Sequence, residues 1–280
     1  MRYLITGGHG MLGCDLQAAL VGHDVTALGH AELDVTDPEA VAAAVAGMDV
    51  VVNAAAFTRV DDAEAHESAA TAVNGLGAGI IAAAARHAGA IMVQVSTDYV
   101  FDGAGTSPYA EDHPIAPLGA YGRSKAVGER LVAAAQPDSY IVRTAWLYGA
   151  NGPNFARTML RLAANQDTVS VVNDQIGQPT WTADLAAAIA SLVHARPAFG
   201  IYHVTNSGEA SWFDFAQAIF SAAGLDPERV IPTLSSKFVR PAPRPAYSVL
   251  GHRAWDRAGL QRLRSWRDAL AAASGAGILA

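Results

Sequence analysis

The run Val50-Val51-Val52, closed by Asn53-Ala54, is apolar on both sides of an extended chain. A strand of that kind is covered on both faces, as an inner strand of a parallel sheet is. Parallel strands cannot be joined by tight hairpins, so helical crossovers must separate them. The N-terminal half supplies such crossovers. Residues 3–6 and 24–28 read as strands around a helix over 11–20, whose Leu12, Leu16 and Leu20 recur at helical spacing. Asp37-Pro38-Glu39 opens a second helix, with Asp37 as N-cap and Pro38 in the first turn, and Gly47 ends it. A long helix is expected over 69–87, stopped near Gly89. Strands over 91–95 and 140–144 flank a helix over 121–135.

Strand–helix alternation at this spacing implies right-handed crossovers and an α/β fold, a doubly wound parallel sheet of the Rossmann type. Residues 1–150 carry that rhythm. Over 151–280 it weakens: a helix over 155–164, strands over 169–172 and 201–204, and a helix over 212–223. The stretch 240–245, Arg-Pro-Ala-Pro-Arg-Pro, excludes helix and central strand. This half reads as a smaller substrate-binding lobe with segments returning to the main sheet. The 280 residues are 51% hydrophobic and 16% charged, enough for a buried core and unlike a disordered chain. A net charge of −7 without any Lys/Arg cluster argues against nucleic acid and acidic membranes as partners. Cys14 is the single cysteine, and no His/Cys spacing suits a metal, so no metal site is expected. The first apolar run is too short for a signal-peptide core, and no uninterrupted apolar span is evident. A soluble, cytoplasmic protein is expected.

Gly7, Gly10 and Gly13 stand between the first strand and the first helix. A dinucleotide diphosphate sits on such a helix N-terminus, where free N–H groups and the helix dipole favour negative charge. Glycine lets the backbone approach it closely. The second strand ends Leu28-Gly29-His30, with neither acid nor arginine, and Glu32 comes two residues late. NADPH and NADH therefore both remain open as cofactor. Asp34-Val35 either reaches the adenine side or is an ordinary loop. Ala54-Ala55-Ala56, small residues at the end of the third strand, let a cofactor lie flat against backbone.

Thr97 ends the fourth strand, and Tyr121 and Lys125 lie one helical turn apart on one face. Reduction of a ketone needs a proton donor for the developing alkoxide. A tyrosine serves if a nearby ammonium lowers its pKa, and the Thr97 hydroxyl can bond the same oxygen. The chain has only two lysines, one of them Lys125.

These residues resemble the extended short-chain dehydrogenases, and more narrowly the dTDP-4-dehydrorhamnose reductase family. The matching stretches are 52–61, 95–103 (Val-Ser-Thr-Asp-Tyr-Val-Phe-Asp-Gly), 121–125, 143–148, 173–180 and 240–244. The resemblance implies reduction of a 4-keto group on a dTDP-linked 6-deoxy sugar. It implies Tyr121 as proton donor, Lys125 holding the nicotinamide ribose and tuning Tyr121, and Thr97 polarising the ketone. Gly10, Met11 and Leu12 would line the diphosphate, Asp34 and Val35 the adenine side, and Ala56, Phe57, Thr58 and Val95 the rest of the cofactor. Asp98, Tyr99, Trp146 and Val60 would contact the sugar; Trp146 as a core residue is the alternative. Arg244, and less directly Arg240, suit diphosphate oxygens as bidentate guanidinium donors. Gly29 stands where some members have an acid. Some members carry magnesium at a dimer contact; 266–270 shows no clear carboxylate pair for it, and a homodimer is left open. A dehydratase would need a second acid after Thr97-Asp98, where Tyr99 stands. A ketoreductase for another deoxysugar and a non-catalytic regulatory subunit remain as alternatives.

Overall fold

The computed structural model of the chain describes residues 1–278. Its central sheet has six parallel strands. β1 (Arg2–Thr6) lies between β2 (Asp24–Leu28) and β3 (Val50–Asn53). β4 (Ile91–Thr97) pairs with β3, β5 (Ser139–Thr144) with β4, and a sixth strand, Gly200–His203, with β5. The strand order changes direction between β1 and β3. The crevice beyond the carboxyl ends of two such strands is where doubly wound sheets take ligands.

Alternation along each strand builds two cores. Tyr3, Ile5, Val50 and Val52 face one side; Leu4 and Val51 face the other. The first side is covered by α1 (Met11–Ala19) and the Thr182–Ala195 helix through Leu12, Leu16, Leu185 and Ile189. The second is covered by α2 (Pro38–Val45) and the Ala78–Ala88 and Ala120–Ala135 helices through Val41, Val45, Ile81 and Val132. All four β3 residues are buried, as its unbroken apolar run requires. Each such aliphatic side chain contributes roughly 1.5–3 kcal/mol by leaving water. Asp37 caps α2 by accepting from the Glu39 and Ala40 amides, with Pro38 in the first turn.

The long helix is not regular. Glu67–Thr71 is α-helical, Ala72–Gly77 opens into a π-helical turn, and Ala78–Ala88 resumes the α-helix before left-handed Gly89. By length and composition the run Glu67–Ala88 could cross a membrane. Here it packs on the second face of the sheet and against the Ala120–Ala135 helix.

A separate core joins Tyr148, Met159, Val169, Val171, Phe215, Phe220, Trp266 and Leu270. Ser211 and Asp214 form a capping box that starts the Trp212–Ala222 helix within it. The chain from 238 to 246 is irregular, as its prolines demand.

The glycine loop is fitted to backbone. A Cβ on Gly13 would stand 2.3 Å from the Gly7 carbonyl oxygen and 2.6 Å from that of Gly8. Gly13→Ala should therefore lower stability by about 1–3 kcal/mol or more, because backbone must shift. Urea denaturation checks this; an unchanged midpoint would mean the contact is not rigid.

Candidate active site

The loop after β1 is shaped by three glycines. Gly7 has φ 69°, and a Cβ on it would meet Ala55 N at 2.7 Å. Loop and β3 end thus touch backbone to backbone. Gly10 donates to the Gly7 carbonyl at 2.9 Å and caps α1 in an extended conformation. Helix geometry leaves the amides of Met11, Leu12 and Gly13 without intrahelical acceptors, so they are free for an anion. The residues present therefore fit a dinucleotide diphosphate. After β3, half-buried Ala54, Ala55 and Ala56 lead to Phe57 and exposed Thr58. Asn74 holds both Phe57 backbone groups: its Oδ1 accepts the amide at 2.8 Å and its Nδ2 donates to the carbonyl at 3.1 Å. Asn74 lies in the π-helical turn, and its Nδ2 also donates to Ser124 Oγ at 2.9 Å. Ser124 in turn donates to the Tyr121 carbonyl at 2.7 Å. Asp34 is occupied locally, its Oδ1 accepting from the Thr36 amide and hydroxyl, and Val35 is buried in the core.

Thr97, Asp98, Tyr99 and Tyr121 meet in one buried corner at the carboxyl end of β4. The Thr97 hydroxyl donates to Asp98 Oδ1 at 3.0 Å and accepts the Tyr99 amide at 3.1 Å. The Tyr99 and Tyr121 rings meet edge to face, centroids 5.9 Å apart. Burial pushes the Tyr121 phenol up to about 12 and the Asp98 carboxylate adds to this, while a hydrogen bond from Thr97 works the other way. The expected lowering of Tyr121 by Lys125 is thus not seen in this structure. The Lys125 ammonium instead donates to the Val95 carbonyl at 2.6 Å. Burial lowers Lys125 to about 8, partly offset by Glu129 one turn further on. Glu129 accepts from Arg143 at 2.9 and 2.7 Å and from Ser96 Oγ at 2.6 Å, a buried pair braced across β4 and β5.

Burial also raises Asp98, to about 6; hydrogen bonding from Ser248 and Thr97 offsets part of the shift. Asp98 Oδ2 and Ser248 Oγ are both fully buried, and among the described residues neither has a well-formed hydrogen bond. Burial and then Asp98 hold the Tyr99 phenol well above its ordinary value, with Arg244 acting in the opposite sense.

Arg244 is not a solvated surface side chain. Its guanidinium is one-fifth exposed, donates to Asp61 Oδ1 at 2.9 Å and to the Ala242 carbonyl at 3.0 Å. Arg240 reaches the same carboxylate at 3.9 Å. The proline-rich strap is thereby fastened to the Val60–Ala65 helix. Trp146 lies two residues beyond Thr144, the register partner of Thr97. It takes φ 48°, strained for a bulky residue. Its ring stacks on Trp212 at 3.5 Å and 4°, and a Cβ on Gly177 would collide with the indole. Trp146 is half-buried rather than part of the closed core.

Sequence reading left Asn74, Ser124, Trp212, Ser248 and the Glu129–Arg143 pair without a role. A polar Asn74 inside an alanine-rich helical run was a legible signal; Ser248 and Trp212 stood in no recognisable motif.

The sheet order, with the Tyr121–Lys125 turn packed against β4, is that of a doubly wound α/β dinucleotide fold. The chain belongs to the family described as RmlD substrate binding domain, whose model matches residues 1–276. It is 54% identical over 278 residues to the dTDP-4-dehydrorhamnose reductase of Streptomyces griseus, covering 96% of this chain and 91% of that protein. It is 51% identical over 275 residues to a probable dTDP-4,6-dihydroxy-2-methyloxan-3-one 4-ketoreductase of Streptomyces antibioticus, covering 96% and 93%. A solved dTDP-4-dehydrorhamnose reductase of Bacillus anthracis, in complex with NADP, superposes with a TM-score of 0.93 at 39% identity, over 97% of this chain and 98% of that one.

Because Asp98 is raised in the fold, its ionised form destabilises the folded state above about pH 6, and that penalty vanishes below the unfolded value near 4. Asp98→Asn should therefore stabilise the protein by about 1–3 kcal/mol at pH 8 and by almost nothing at pH 4. Denaturation at the two pH values checks it; a gain independent of pH would contradict the assignment.

Proposed function

We propose that the chain reduces dTDP-4-dehydro-β-L-rhamnose to dTDP-L-rhamnose, with NADPH or NADH as reductant. The observation that carries this reading is the buried Thr97–Tyr121 corner beside a glycine loop fit for a dinucleotide. The 54% identity to the Streptomyces griseus reductase supports the choice of sugar. Residues 1–150 would hold the dinucleotide and the lobe over 151–280 would close on the sugar; the last two residues of that lobe lie outside the described residues.

Bound NAD(P)H supplies the hydride that reaches the sugar C4. Thr97 and Tyr121 bond the ketone oxygen, and Tyr121, neutral across the working pH range, gives its proton to the forming alkoxide. Lys125, fixed by its hydrogen bond to the Val95 carbonyl, holds the nicotinamide ribose. Gly10, Met11 and Leu12 bind the diphosphate of the cofactor through their amides. Asp98, Tyr99 and Val60 orient the sugar. Trp146, backed by Trp212, offers it a flat apolar face. Arg244 binds the sugar-nucleotide diphosphate in exchange for Asp61. Closing these groups over the ketone excludes water and strengthens both hydrogen bonds.

A specific observation favours a second reading. The Streptomyces antibioticus relative is named for a different 4-keto sugar at almost the same identity, 51%. That reading keeps the chemistry and changes the substrate.

The test is oxidation of NADPH and NADH with freshly generated dTDP-4-dehydrorhamnose, with the product identified. dTDP-rhamnose as product, and a loss of about 10²–10⁴-fold in Tyr121→Phe, is the expected result. Oxidation only with another 4-keto sugar would select the second reading; no oxidation by the wild type, or full activity in Tyr121→Phe, would refute the catalytic assignment.

The Lys125 ammonium is present below its lowered value of about 8 and lost above it. The rate should therefore fall as pH rises through about 8. Lys125→Met should cost about tenfold or more at pH 7 and remove that limb from the profile. A limb that persists in the mutant would belong to another group.

A further inference from the structure

We infer that Gln94 is a positioning residue for Lys125: with Asn53 it keeps the Val95 carbonyl out of the sheet ladder and fixes the direction from which the ammonium bonds it. The inference deepens the reading of Lys125 as the group that holds the nicotinamide ribose. It starts from a row of polar side chains where an inner parallel sheet would carry apolar ones. Thr6, Asn53 and Gln94 are register partners on β1, β3 and β4, and each is buried to within 1–2% exposure. Alternation puts them on the face of Leu4, Val51 and Met92, which the Ala120–Ala135 helix covers and from which Lys125 approaches.

The row is joined end to end, and its direction is set by backbone. The Ala55 amide can only donate, and it donates to Asn53 Oδ1 at 3.2 Å. The Thr6 hydroxyl donates to the same oxygen at 2.6 Å. Asn53 Nδ2 therefore faces the other way, and it donates to Gln94 Oε1 at 2.8 Å. That leaves Gln94 Nε2 to donate to the Val95 carbonyl, at 2.8 Å. The Lys125 ammonium donates to that same oxygen at 2.6 Å.

The carbonyl is available because the ladder stops short of it. β3 and β4 pair as far as Asn53 and Gln94. The Ile91 amide donates across to Asp49, and alternate residues of a strand turn their backbone groups the same way. The Val95 carbonyl thus faces the β3 side, one step past the last pair. The amide that would continue the ladder there is that of Ala55, which Asn53 has taken. A carbonyl oxygen has two lone pairs. Gln94 occupies one, so the three rotatable donors of a flexible lysine meet a single remaining direction. Glu129, the charged group acting on Lys125 from one turn further on, is itself held by Arg143 and Ser96. The far end of the row reaches the glycine loop, since Thr6 precedes Gly7 and Gly7 rests on Ala55. One run of hydrogen bonds ties the diphosphate seat to the lysine.

The chain has two lysines, Lys125 and Lys237, so 15N-labelled lysine gives two side-chain signals that NMR follows in the full chain without cofactor. Lys125→Met assigns them. Gln94→Glu keeps the acceptor for Asn53 and turns the donor beside Lys125 into an acid, which favours the charged ammonium. The Lys125 titration should therefore rise by about one pH unit or more in Gln94→Glu. In turnover, Gln94→Leu should lower kcat about tenfold and leave the KM for the keto sugar within about twofold. In a Lys125→Met background the same substitution should cost nothing further, because both act through one ammonium. An unmoved Lys125 titration in Gln94→Glu, or a Gln94→Leu loss repeated in full in the Lys125→Met background, would overturn the inference. A wild type without reductase activity would refute the proposed function instead, and the titration would then decide this inference by itself.

Discussion

Backbone touching backbone at the switch point is the constraint from which the site is built. Gly7 rests on Ala54-Ala55, and Gly13 rests on the carbonyls of Gly7 and Gly8. These contacts bring the start of α1 down onto the ends of β1 and β3. The free amides of the first helical turn then face the crevice instead of solvent. A methyl group at either glycine would lift the helix and widen the crevice. The diphosphate loop takes its position from this seat.

The reacting corner is costly to maintain. Asp98, Tyr99, Tyr121 and Lys125 are each shifted mainly by burial, and each shift disfavours the charged form. The surroundings offset part of that cost with fixed hydrogen bonds. Lys125 is held by the Val95 carbonyl, the Tyr121 carbonyl by Ser124, and Ser124 by Asn74 from the π-helical turn. Beneath them the buried Glu129–Arg143 pair ties the Ala120–Ala135 helix to β5. Removing one partner of a pair buried to this degree typically costs about 3–5 kcal/mol, so it acts as a rigid floor. A dry corner of this kind is a poor place to store charge and a good place to stabilise an alkoxide as it forms.

Much of the sheet was legible because each strand carries its own evidence. The apolar β3 run, the Asp37-Pro38 cap and the left-handed Gly89 all act over a few residues. The Thr182–Ala195 helix was missed: alanine-rich and packed beneath α1, it shows little of the polar-apolar contrast that marks a surface helix. The π-helical turn was invisible because the contacts made from it, Asn74 to Phe57 and Ser124, are tertiary. Arg244 could be picked as a cation, but not its partner Asp61, which lies 183 residues away in sequence. Glu32 read as two residues too late for the end of β2; only the turn onto Gly29 brings it back. Thr97, Tyr121 and Lys125 were readable as a set, whereas the direction of the Tyr121 shift depends on how deeply the corner is buried and on Asp98.

The central claim is that this corner delivers reducing equivalents to one carbon of a nucleotide-linked keto sugar. The most direct test is to follow the label from NADH deuterated at nicotinamide C4 into the product by NMR. The account predicts a single deuterium at the sugar C4, in one configuration, and none elsewhere on the ring. Deuterium at another carbon, in both configurations at C4, or absent from the product would contradict it.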